Sequence, residues 1–293
     1  MYDIEYLHQA TSVDDAVAAL AADPLAQVIA GGTDVLVKLR DGKGAPAHLV
    51  SIHGLAGELS GVTLLDDGCV RIGANTVFHS VTTSPVIQER IPVLGEACDT
   101  PGGPQLRIAG TIGGNLCNGV TSADSASTCM ALGVLLDLVG PEGRRTVPID
   151  EWYAGPGRTV RRRDELLVAI RVPRSHYEGF AGEYIKYGKR NALEIATMGC
   201  CCLVRLAEDH DTLADVRLAF GVAGPVPMRS HAAEDGVRGL SVAQAAERVG
   251  ELALEDTRPR DSWRASKAFR QQLIKEMSRR ALMSAARKGG ATV

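Results

Sequence analysis

Cysteine pairs with the spacing of metal ligands are missing from this chain of 293 residues, since no Cys-x-x-Cys occurs in it. The odd number of cysteines, seven, also argues against a framework of disulfide bonds. Three of them, Cys200 to Cys202, are consecutive in an apolar run that is typical of a strand. Their side chains would alternate between two faces and could not converge on one metal ion. We therefore predict small buried thiols and no iron–sulfur cluster in this chain.

Targeting and membrane signals are missing as well. Met1 to Ala22 carries acidic residues and lacks the basic start of a signal peptide. The longest apolar run, Met130 to Leu136, is too short to cross a bilayer. The net charge of −3 indicates neither a nucleic-acid partner nor an anionic membrane. We therefore expect a cytoplasmic globular protein that binds neither.

The common nucleotide-binding motifs are absent from the place where they would be expected. The pattern from Gln27 to Ile52 predicts a strand, a glycine turn, a short helix and a strand, which favours parallel pairing. A Rossmann fingerprint would place Gly-x-Gly-x-x-Gly at that turn, where this chain has Gly31-Gly32 and then Thr33. A P-loop is missing too. Any dinucleotide is therefore expected to be held in another way.

Paired glycines are present in two segments, Ala30 to Val35 and Thr111 to Asn115, the second followed by Asp124. A glycine pair lets the backbone pass close to a bulky group, and free N–H groups in such a turn can hold phosphate oxygens. Either segment alone is more typical of an ordinary tight turn. Because Thr33 and Thr111 are placed alike, the two segments together favour a ligand with two phosphates.

The order of the predicted elements indicates an α+β protein. Residues 1–175 are interpreted as two α/β parts, about 1–57 and 58–175, the second of which contains hairpins. Residues 180–290 are interpreted as a smaller α+β domain of long antiparallel strands and C-terminal helices.

Three local predictions can be checked directly against a structure. Thr76 is expected to cap a helix, and the run Arg158 to Arg163 is interpreted as a solvated basic face, with contact to a partner as the alternative. The last helix is expected to bury one apolar face, formed by Phe269, Leu273, Met277 and Leu282.

Both glycine segments resemble those of the FAD-binding, or medium, subunits of the molybdenum hydroxylases, the family of xanthine dehydrogenase and carbon monoxide dehydrogenase. The similarity runs from Tyr2 to about Ala285. Within the family, the chain is most similar to the separate FAD subunits of bacterial xanthine dehydrogenases. Three stretches carry this closer likeness: Gly114 to Gly119, Gly155 to Thr159 and Trp263 to Ser266.

The resemblance implies a two-part FAD-binding fold of the vanillyl-alcohol oxidase type, followed by a smaller α+β domain. FAD would lie between the two α/β parts, with its pyrophosphate against the glycine turns. It would be bound non-covalently, because Thr33 stands where some flavoproteins of this fold have the histidine that attaches the flavin. The FAD-binding residues that the resemblance assigns are Val28, Ile29, Ala30, Gly31, Gly32, Thr33, Asp34, Val35, Thr111, Ile112, Gly113, Gly114, Asn115, Asp124, Leu167 and Lys186.

Individual roles follow from the same resemblance. Asp124 would accept a hydrogen bond from a hydroxyl of the cofactor, Leu167 would pack against the adenine, and Lys186 would reach the flavin. Read without the resemblance, Leu167 is an ordinary core residue of a strand. Lys186 is then a surface lysine whose stem packs on Tyr184.

The resemblance also places a loop beside the incoming nicotinamide. In it, Arg190 would meet a phosphate or a flavin oxygen, Glu194 the carboxamide and Ile195 the ring; the alternative is an ordinary charged hairpin loop. One family position differs, because Gln105-Leu106-Arg107-Ile108 replaces the usual Gln-x-Arg-Asn. No stacking residue for the flavin can be assigned near Pro101-Gly102.

The activity implied is flavin redox chemistry within a larger enzyme. Electrons would come from [2Fe–2S] centres of an iron–sulfur subunit, originate at a molybdenum cofactor in another subunit, and leave as hydride to NAD. The Gly155 loop favours xanthine dehydrogenase over a relative acting on carbon monoxide, nicotinate or an aromatic compound. Two further hypotheses stay open: a free-standing flavin reductase, with Tyr187 or Ser127 as proton donor, and a non-enzymatic nucleotide-binding scaffold.

Overall fold

The first unit of the fold is a small parallel sheet with its helices. The computed structural model describes residues 2–44 and 47–292. Its first elements are β1 (Ile4–Gln9), α1 (Val13–Ala22), β2 (Ala26–Ile29), α2 (Val35–Arg40) and β3 (Ala47–Ser51). The predicted parallel pairing is confirmed, since β3 lies between β1 and β2 and pairs in parallel with both. The first glycine pair therefore follows the carboxyl end of β2.

The second unit consists of short helices and a five-stranded antiparallel sheet, whose strand order is β4-β5-β10-β6-β7. Both predicted hairpins, β4–β5 and β6–β7, are confirmed. The elements are α3 (Ala56–Leu59), β4 (Val62–Leu64), β5 (Val70–Gly73), α4 (Phe78–Thr82), α5 (Pro85–Arg90), α6 (Pro92–Cys98), α7 (Pro104–Arg107), α8 (Ile112–Cys117), α9 (Asp124–Leu132), β6 (Leu135–Gly140), β7 (Gly143–Pro148), β8 (Tyr153–Gly155), β9 (Arg158–Thr159) and β10 (Leu166–Val172).

The expected helix cap at Thr76 is wrong. Val77 precedes α4, and no side chain caps that helix. The Thr76 hydroxyl instead accepts a hydrogen bond from the Gly61 N–H at 2.9 Å and donates one to the Gly61 carbonyl at 3.2 Å. A buried threonine satisfied by a distant backbone segment has no local sequence signature.

The third unit is a four-stranded antiparallel sheet in the order β11-β12-β13-β14, with two helices, α10 and α12, against it and a third, α11, packed on those two. Its elements are β11 (Ala181–Tyr187), β12 (Met198–Leu206), β13 (Leu213–Gly221), β14 (Met228–Arg229), α10 (His231–Val237), α11 (Val242–Asp256) and α12 (Lys267–Lys288). The predicted apolar face of α12 is confirmed for Leu273, Met277 and Leu282, which are buried. It is wrong for Phe269, which is 42% exposed and packs edge-on against Tyr187.

The consecutive cysteines of β12 divide between two cores. Cys201 lies in the core of the second unit, whereas Cys200 and Cys202 lie in the core of the third unit. The predicted alternation is thus confirmed, and burial raises the pKa of Cys201 to about 12. On the second-unit side, β12 contacts α9, a helix that is buried along its whole length. Among the described helices, none is both long and apolar enough to span a membrane.

Candidate cofactor-binding site

A cleft of about 820 Å³ lies where the three units meet. This volume is in the range typical of small-molecule sites. The structure brings most of the predicted site residues into this cleft, but Ile29, Ile112, Lys186 and Arg190 do not line it. The predicted residues that line it are Val28, Ala30, Gly31, Gly32, Thr33, Asp34, Val35, Thr111, Gly113, Gly114, Asn115, Asp124, Leu167, Glu194 and Ile195.

The first glycine segment is an open loop between β2 and α2. Gly32 has a φ of +72°, a left-handed conformation that favours glycine. Gly31 lies against the second unit, where a Cβ atom would come within 1.8 Å of the Ala109 carbonyl oxygen. Within the described part of the chain, the backbone N–H groups from Ala30 to Asp34 have no hydrogen-bond acceptor. Such a row of unpaired donors suits the oxygens of an anion.

The second glycine segment differs from its prediction, because Gly113 and Gly114 lie in the first turn of helix α8 and not in a turn with free amides. The Thr111 hydroxyl caps this helix by accepting the Gly114 N–H at 3.1 Å. The Ile112 N–H donates to the Thr76 carbonyl at 3.0 Å, and the Gly113 N–H donates to that of Ala74 at 2.9 Å. These amides are therefore already satisfied by the protein.

The two glycines of α8 have different surroundings. Gly113 is buried, and a Cβ atom there would lie 2.4 Å from the Ala74 carbonyl oxygen. The group that this backbone approaches is thus the protein's own backbone just after β5, and not a ligand. Gly114 is exposed in the cleft, and its Cβ atom would meet only the Thr111 hydroxyl, at 2.9 Å. Gly114 keeps open a part of the cleft wall that a side chain would fill.

Asp124 is part of a buried hydrogen-bond network at the inner end of the cleft. Its carboxylate accepts from the Tyr184 hydroxyl at 3.0 Å and from the Lys186 ammonium at 2.8 Å. The same ammonium donates to the Thr100 carbonyl at 3.1 Å. Burial raises the pKa of Asp124, and Lys186 opposes that rise. Lys186 thus lies against Asp124 in this structure, and only Asp124 of the pair lines the cleft.

Two cations in the cleft wall were missed at the level of the sequence. The Lys38 ammonium donates to the Asn118 side-chain oxygen at 3.0 Å and so joins α2 to the end of α8. Arg161 also lines the cleft and donates to the Glu165 carbonyl at 2.6 Å. The sequence did contain a signal for Lys38, because this residue lies one turn into the helix that follows Gly32.

The basic run that contains Arg161 is largely the solvated face that the sequence predicts, because Arg158, Arg162 and Arg163 are exposed. Arg163 donates to the carbonyls of Leu20 and Asp23, at 2.7 and 3.0 Å, and so holds the carboxyl end of α1. These bonds connect the first unit to the second. The contact of Arg163 with α1 was not predicted, because backbone carbonyls at a distant helix end leave no charge pattern in the sequence.

The loop between β11 and β12 covers the mouth of the cleft. The Glu194 carboxylate accepts the Arg190 N–H at 2.6 Å, and the Leu193 N–H donates to the Gly102 carbonyl at 3.3 Å. Leu193 has a φ of +56° and lines the cleft together with Glu194 and Ile195. The Arg190 guanidinium is used within the loop, where it donates to the Leu193 carbonyl.

The two proton donors considered for a free-standing reductase do not line the cleft. The Ser127 hydroxyl is buried and has no partner among the described residues. Tyr187 lies on the outside of the third unit against Phe269. Neither side chain is placed to deliver a proton to a ligand in the cleft.

The comparisons with known proteins cover nearly the whole chain. Residues 2–175 match the family model described as the FAD binding domain in molybdopterin dehydrogenase, and residues 183–285 match the CO dehydrogenase flavoprotein C-terminal domain. The chain therefore belongs to the FAD-binding medium subunits of the molybdenum hydroxylase family. Its predicted α+β fold, with an antiparallel sheet and C-terminal helices after the FAD-binding domain, is confirmed by these matches and by the structural likeness below.

Individual relatives match over nearly their full length. The chain is 40% identical over 291 residues to the putative xanthine dehydrogenase FAD-binding subunit of Escherichia coli strain K12, covering 99% of each chain. It is 31% identical over 280 residues to the carbon monoxide dehydrogenase medium chain of Hydrogenophaga pseudoflava, covering 95% of this chain and 96% of that one. A solved structure of carbon monoxide dehydrogenase from the same organism, lacking the Mo-pyranopterin moiety, superimposes with a TM-score of 0.91 at 30% identity, covering 98% and 99% of the two chains.

The residues present fit the FAD that this family binds. The unpaired amides from Ala30 to Asp34 can hold oxygens of a pyrophosphate, and Lys38 and Arg161 add positive charge to the cleft wall. The open wall at Gly114 leaves room for a bulky group beside α8. The cleft thus combines hydrogen-bond donors that suit an anion with an apolar floor that includes Leu106.

Proposed function

We propose that this chain is the FAD-carrying subunit of a xanthine dehydrogenase. The observation that carries the proposal is the cleft between the three units, in which unpaired backbone donors, two cations and an apolar floor lie together. The higher identity to a xanthine dehydrogenase subunit, 40%, than to a carbon monoxide dehydrogenase chain, 31%, supports this member of the family. The partners proposed are an iron–sulfur subunit and a molybdenum-cofactor subunit.

The cofactor would be held mainly by the first glycine segment. Residues Val28 to Val35 would surround the pyrophosphate, with the N–H groups from Ala30 to Asp34 as donors. Residues Thr111 to Asn115 would form the opposite wall, where Gly114 provides space and the side chain of Asn115 is oriented by the Ser125 hydroxyl at 2.7 Å.

Deeper in the cleft, Asp124 would accept a hydrogen bond from a cofactor hydroxyl, with Lys186 and Tyr184 holding its carboxylate in place. Leu167, which is buried in β10 and lines the cleft, would contact the adenine. We further propose that residues 1–175 form the FAD-binding domain, in two parts of about 1–57 and 58–175. Residues 180–290 would then form the α+β domain that closes the cleft.

Bound FAD would supply the redox chemistry, accepting electrons from a [2Fe–2S] centre of the partner and passing hydride to NAD. The loop carrying Glu194 and Ile195 would position the nicotinamide at the mouth of the cleft, and Leu193 would help to exclude water there. Glu194 is tied to the Arg190 backbone in this structure, so one of its oxygens already orients the loop. We also propose a cytoplasmic location for this activity.

Flavin analysis tests the cofactor assignment. Because Thr33 cannot form the bond that a histidine forms with flavin, we expect acid precipitation to release all the yellow colour into the supernatant. Mass spectrometry of the supernatant should identify FAD. Flavin kept on the washed pellet would contradict non-covalent binding, and a colourless protein that takes up no FAD would contradict the assignment itself.

The electron route is tested in the assembled three-subunit enzyme with Glu194→Ala. Loss of a charged hydrogen bond costs about 1.5–3 kcal/mol, so we expect use of NAD to weaken roughly tenfold to a hundredfold. Oxidation of xanthine with an artificial dye should persist. Glu247→Ala, an exposed change on α11, is the matched control. Equal losses with NAD and with dye would assign Glu194 to folding or assembly, and no loss would remove it from the NAD site.

Another molybdenum hydroxylase activity is the second candidate, because the organic substrate would bind to the proposed molybdenum-cofactor subunit and not to this one. The 31% identity to a carbon monoxide dehydrogenase chain, over nearly the full length of that chain, supports oxidation of carbon monoxide as the specific alternative. Assaying the assembled enzyme with xanthine, carbon monoxide and nicotinate separates the candidates. Turnover of xanthine alone supports the proposal, and turnover of another substrate without xanthine contradicts it.

A further inference from the structure

A tryptophan stands exposed on the third unit, close to the loop at the mouth of the cleft. Trp263 is 77% exposed, although a large aromatic side chain is usually mostly buried. The Lys189 ammonium lies 5.5 Å from its ring centroid, and the Arg264 guanidinium lies 4.3 Å from it. We use the name Trp263 surface for these three residues together with the exposed Arg260 and Lys267.

This surface is held by a rigid base. Arg270 is buried beneath it and donates to the carbonyls of Arg260 and Ala265, the latter at 3.2 Å. It also donates to the Ser262 hydroxyl at 2.9 Å. A guanidinium that binds several backbone and side-chain oxygens fixes the loop before α12, so Trp263 is presented in a defined position.

The Trp263 surface carries an excess of positive charge. Among the described residues, no carboxylate forms an ion pair with Lys189, Arg260, Arg264 or Lys267. The one acidic residue of this loop, Asp261, accepts the backbone N–H of Lys267. An exposed ring beside cations that have no carboxylate partner has the chemistry of a site for a flat base joined to phosphates.

The position of the surface connects it to the cleft. Lys189, which lies by the Trp263 ring, belongs to the same loop as Glu194 and Ile195, which line the cleft mouth. Gly188 lies directly beside the Glu194 carboxylate. One face of this loop therefore borders the cleft while the residue at its start reaches the Trp263 surface.

We propose that the Trp263 surface binds the adenosine diphosphate end of the dinucleotide acceptor, with the adenine against Trp263 and the phosphates near Lys189 and Arg264. The inference rests on the proposed function, since it requires that NAD is the acceptor. A small anionic nucleotide fits better than a protein partner, because the surface lies beside the cleft mouth at which the nicotinamide would react.

The first test measures binding to the full chain loaded with FAD, by calorimetry. ADP-ribose carries the adenosine end, and nicotinamide mononucleotide carries only the other end. Stacking of one base contributes enough that Trp263→Ala should weaken ADP-ribose binding about tenfold. Binding of nicotinamide mononucleotide should stay unchanged. Tyr6→Ala, which removes an exposed ring on β1, is the matched control and should change neither affinity.

The second test uses NADH oxidation by the same protein with an artificial dye. We expect Trp263→Ala to raise the KM for NADH about tenfold with kcat unchanged. Trp263→Phe should restore much of the loss. Unchanged ADP-ribose affinity in Trp263→Ala overturns the inference. If Trp263→Ala keeps its ADP-ribose affinity but no longer co-purifies with the partner subunits, the surface is a subunit contact, and the inference is also overturned. If the wild-type protein oxidises no NADH, the proposed use of NAD is contradicted. A defect that appears only in the variant concerns the Trp263 surface alone, so the two failures can be told apart.

Discussion

The two glycine segments look alike in the sequence and differ in the structure. Around Gly31 and Gly32, the backbone N–H groups have no acceptor within the described residues, and the loop opens to the cleft. Around Gly113 and Gly114, the amides of the helix start are satisfied by Thr111 and by upstream carbonyls. The first segment therefore offers donors to a ligand, and the second offers space and a firm wall.

This difference shows that a glycine pair allows close approach to the backbone by any group, whether a ligand or another part of the protein. Gly113 is required because Ala74 lies against it, and Gly31 because Ala109 does. Among the four glycines of these two segments, Gly114 is the one whose missing side chain leaves room in the cleft. A glycine in a ligand-binding motif can thus owe its identity entirely to packing between protein backbones.

The largest effect is expected for Gly113→Val against its neighbour Gly114→Val, both in the protein without FAD. A Cβ atom at Gly113 would lie 2.4 Å from the Ala74 carbonyl oxygen, so overpacking should lower the free energy of unfolding. The loss should be about 3 kcal/mol. Gly114→Val should cost less, about 1 kcal/mol, because its Cβ atom would meet only the Thr111 hydroxyl and could at most displace that helix cap. Urea denaturation measures both, and equal losses would contradict the distinction between the two glycines.

The second effect is on cofactor affinity, in the same two positions. Gly114→Val places a branched side chain in the open cleft wall, so we expect FAD to bind about tenfold more weakly, a change of about 1.4 kcal/mol. Fluorescence titration of the FAD-free protein measures it. A wild-type affinity in Gly114→Val would show that the cofactor does not approach this wall.

The third effect separates the two threonines that the sequence places alike. Thr111→Val removes the cap of α8 and should lower the free energy of unfolding by about 1 kcal/mol. Thr111→Ser keeps a hydroxyl and should recover most of that loss. Thr33 makes no side-chain hydrogen bond among the described residues, so Thr33→Val should leave the stability of the FAD-free protein unchanged. Thermal unfolding of the three variants provides the measurement, and a comparable loss in Thr33→Val would make the segments equivalent after all.

The smallest effect is a pH dependence confined to the sheet that carries the first segment. A hydrogen bond to Asp23 raises the pKa of His48 above its ordinary value of 6.5 and lowers the pKa of Asp23 below 3.8. The stabilisation is fully present between these two ordinary values. It is lost as pH rises through the folded pKa of His48, and also as pH falls through that of Asp23.

His48→Gln should therefore lower the Tm more at about pH 5.5 than at about pH 8.5. His79→Gln, an exposed change in α4 of the second unit, is the control and should show no such difference. A gap between wild type and His48→Gln that stays constant with pH would contradict the role of the pair.

Much of this arrangement was predictable from local pattern, and the rest depends on distant contacts. The βαβ unit, both hairpins and the glycine pairs follow from short periodicities and turn residues, and they bring the cleft residues together. The start of a helix at Ile112 was not predictable, because its first amides are satisfied by carbonyls of Ala74 and Thr76. Arg163 likewise binds carbonyls near Leu20, far away in the sequence.

The shared strand β12 has a mechanical consequence. A domain that opens on a hinge needs a joint crossed by few packed side chains. Cys201 and Leu203 are buried on one face of β12, and Cys200 and Cys202 on the other, so the third unit has no such joint with the second. Traffic through the cleft should then depend on the loop at its mouth rather than on domain opening. A chain cut after residue 175 would leave the wall of α9 bare, and we expect it to aggregate.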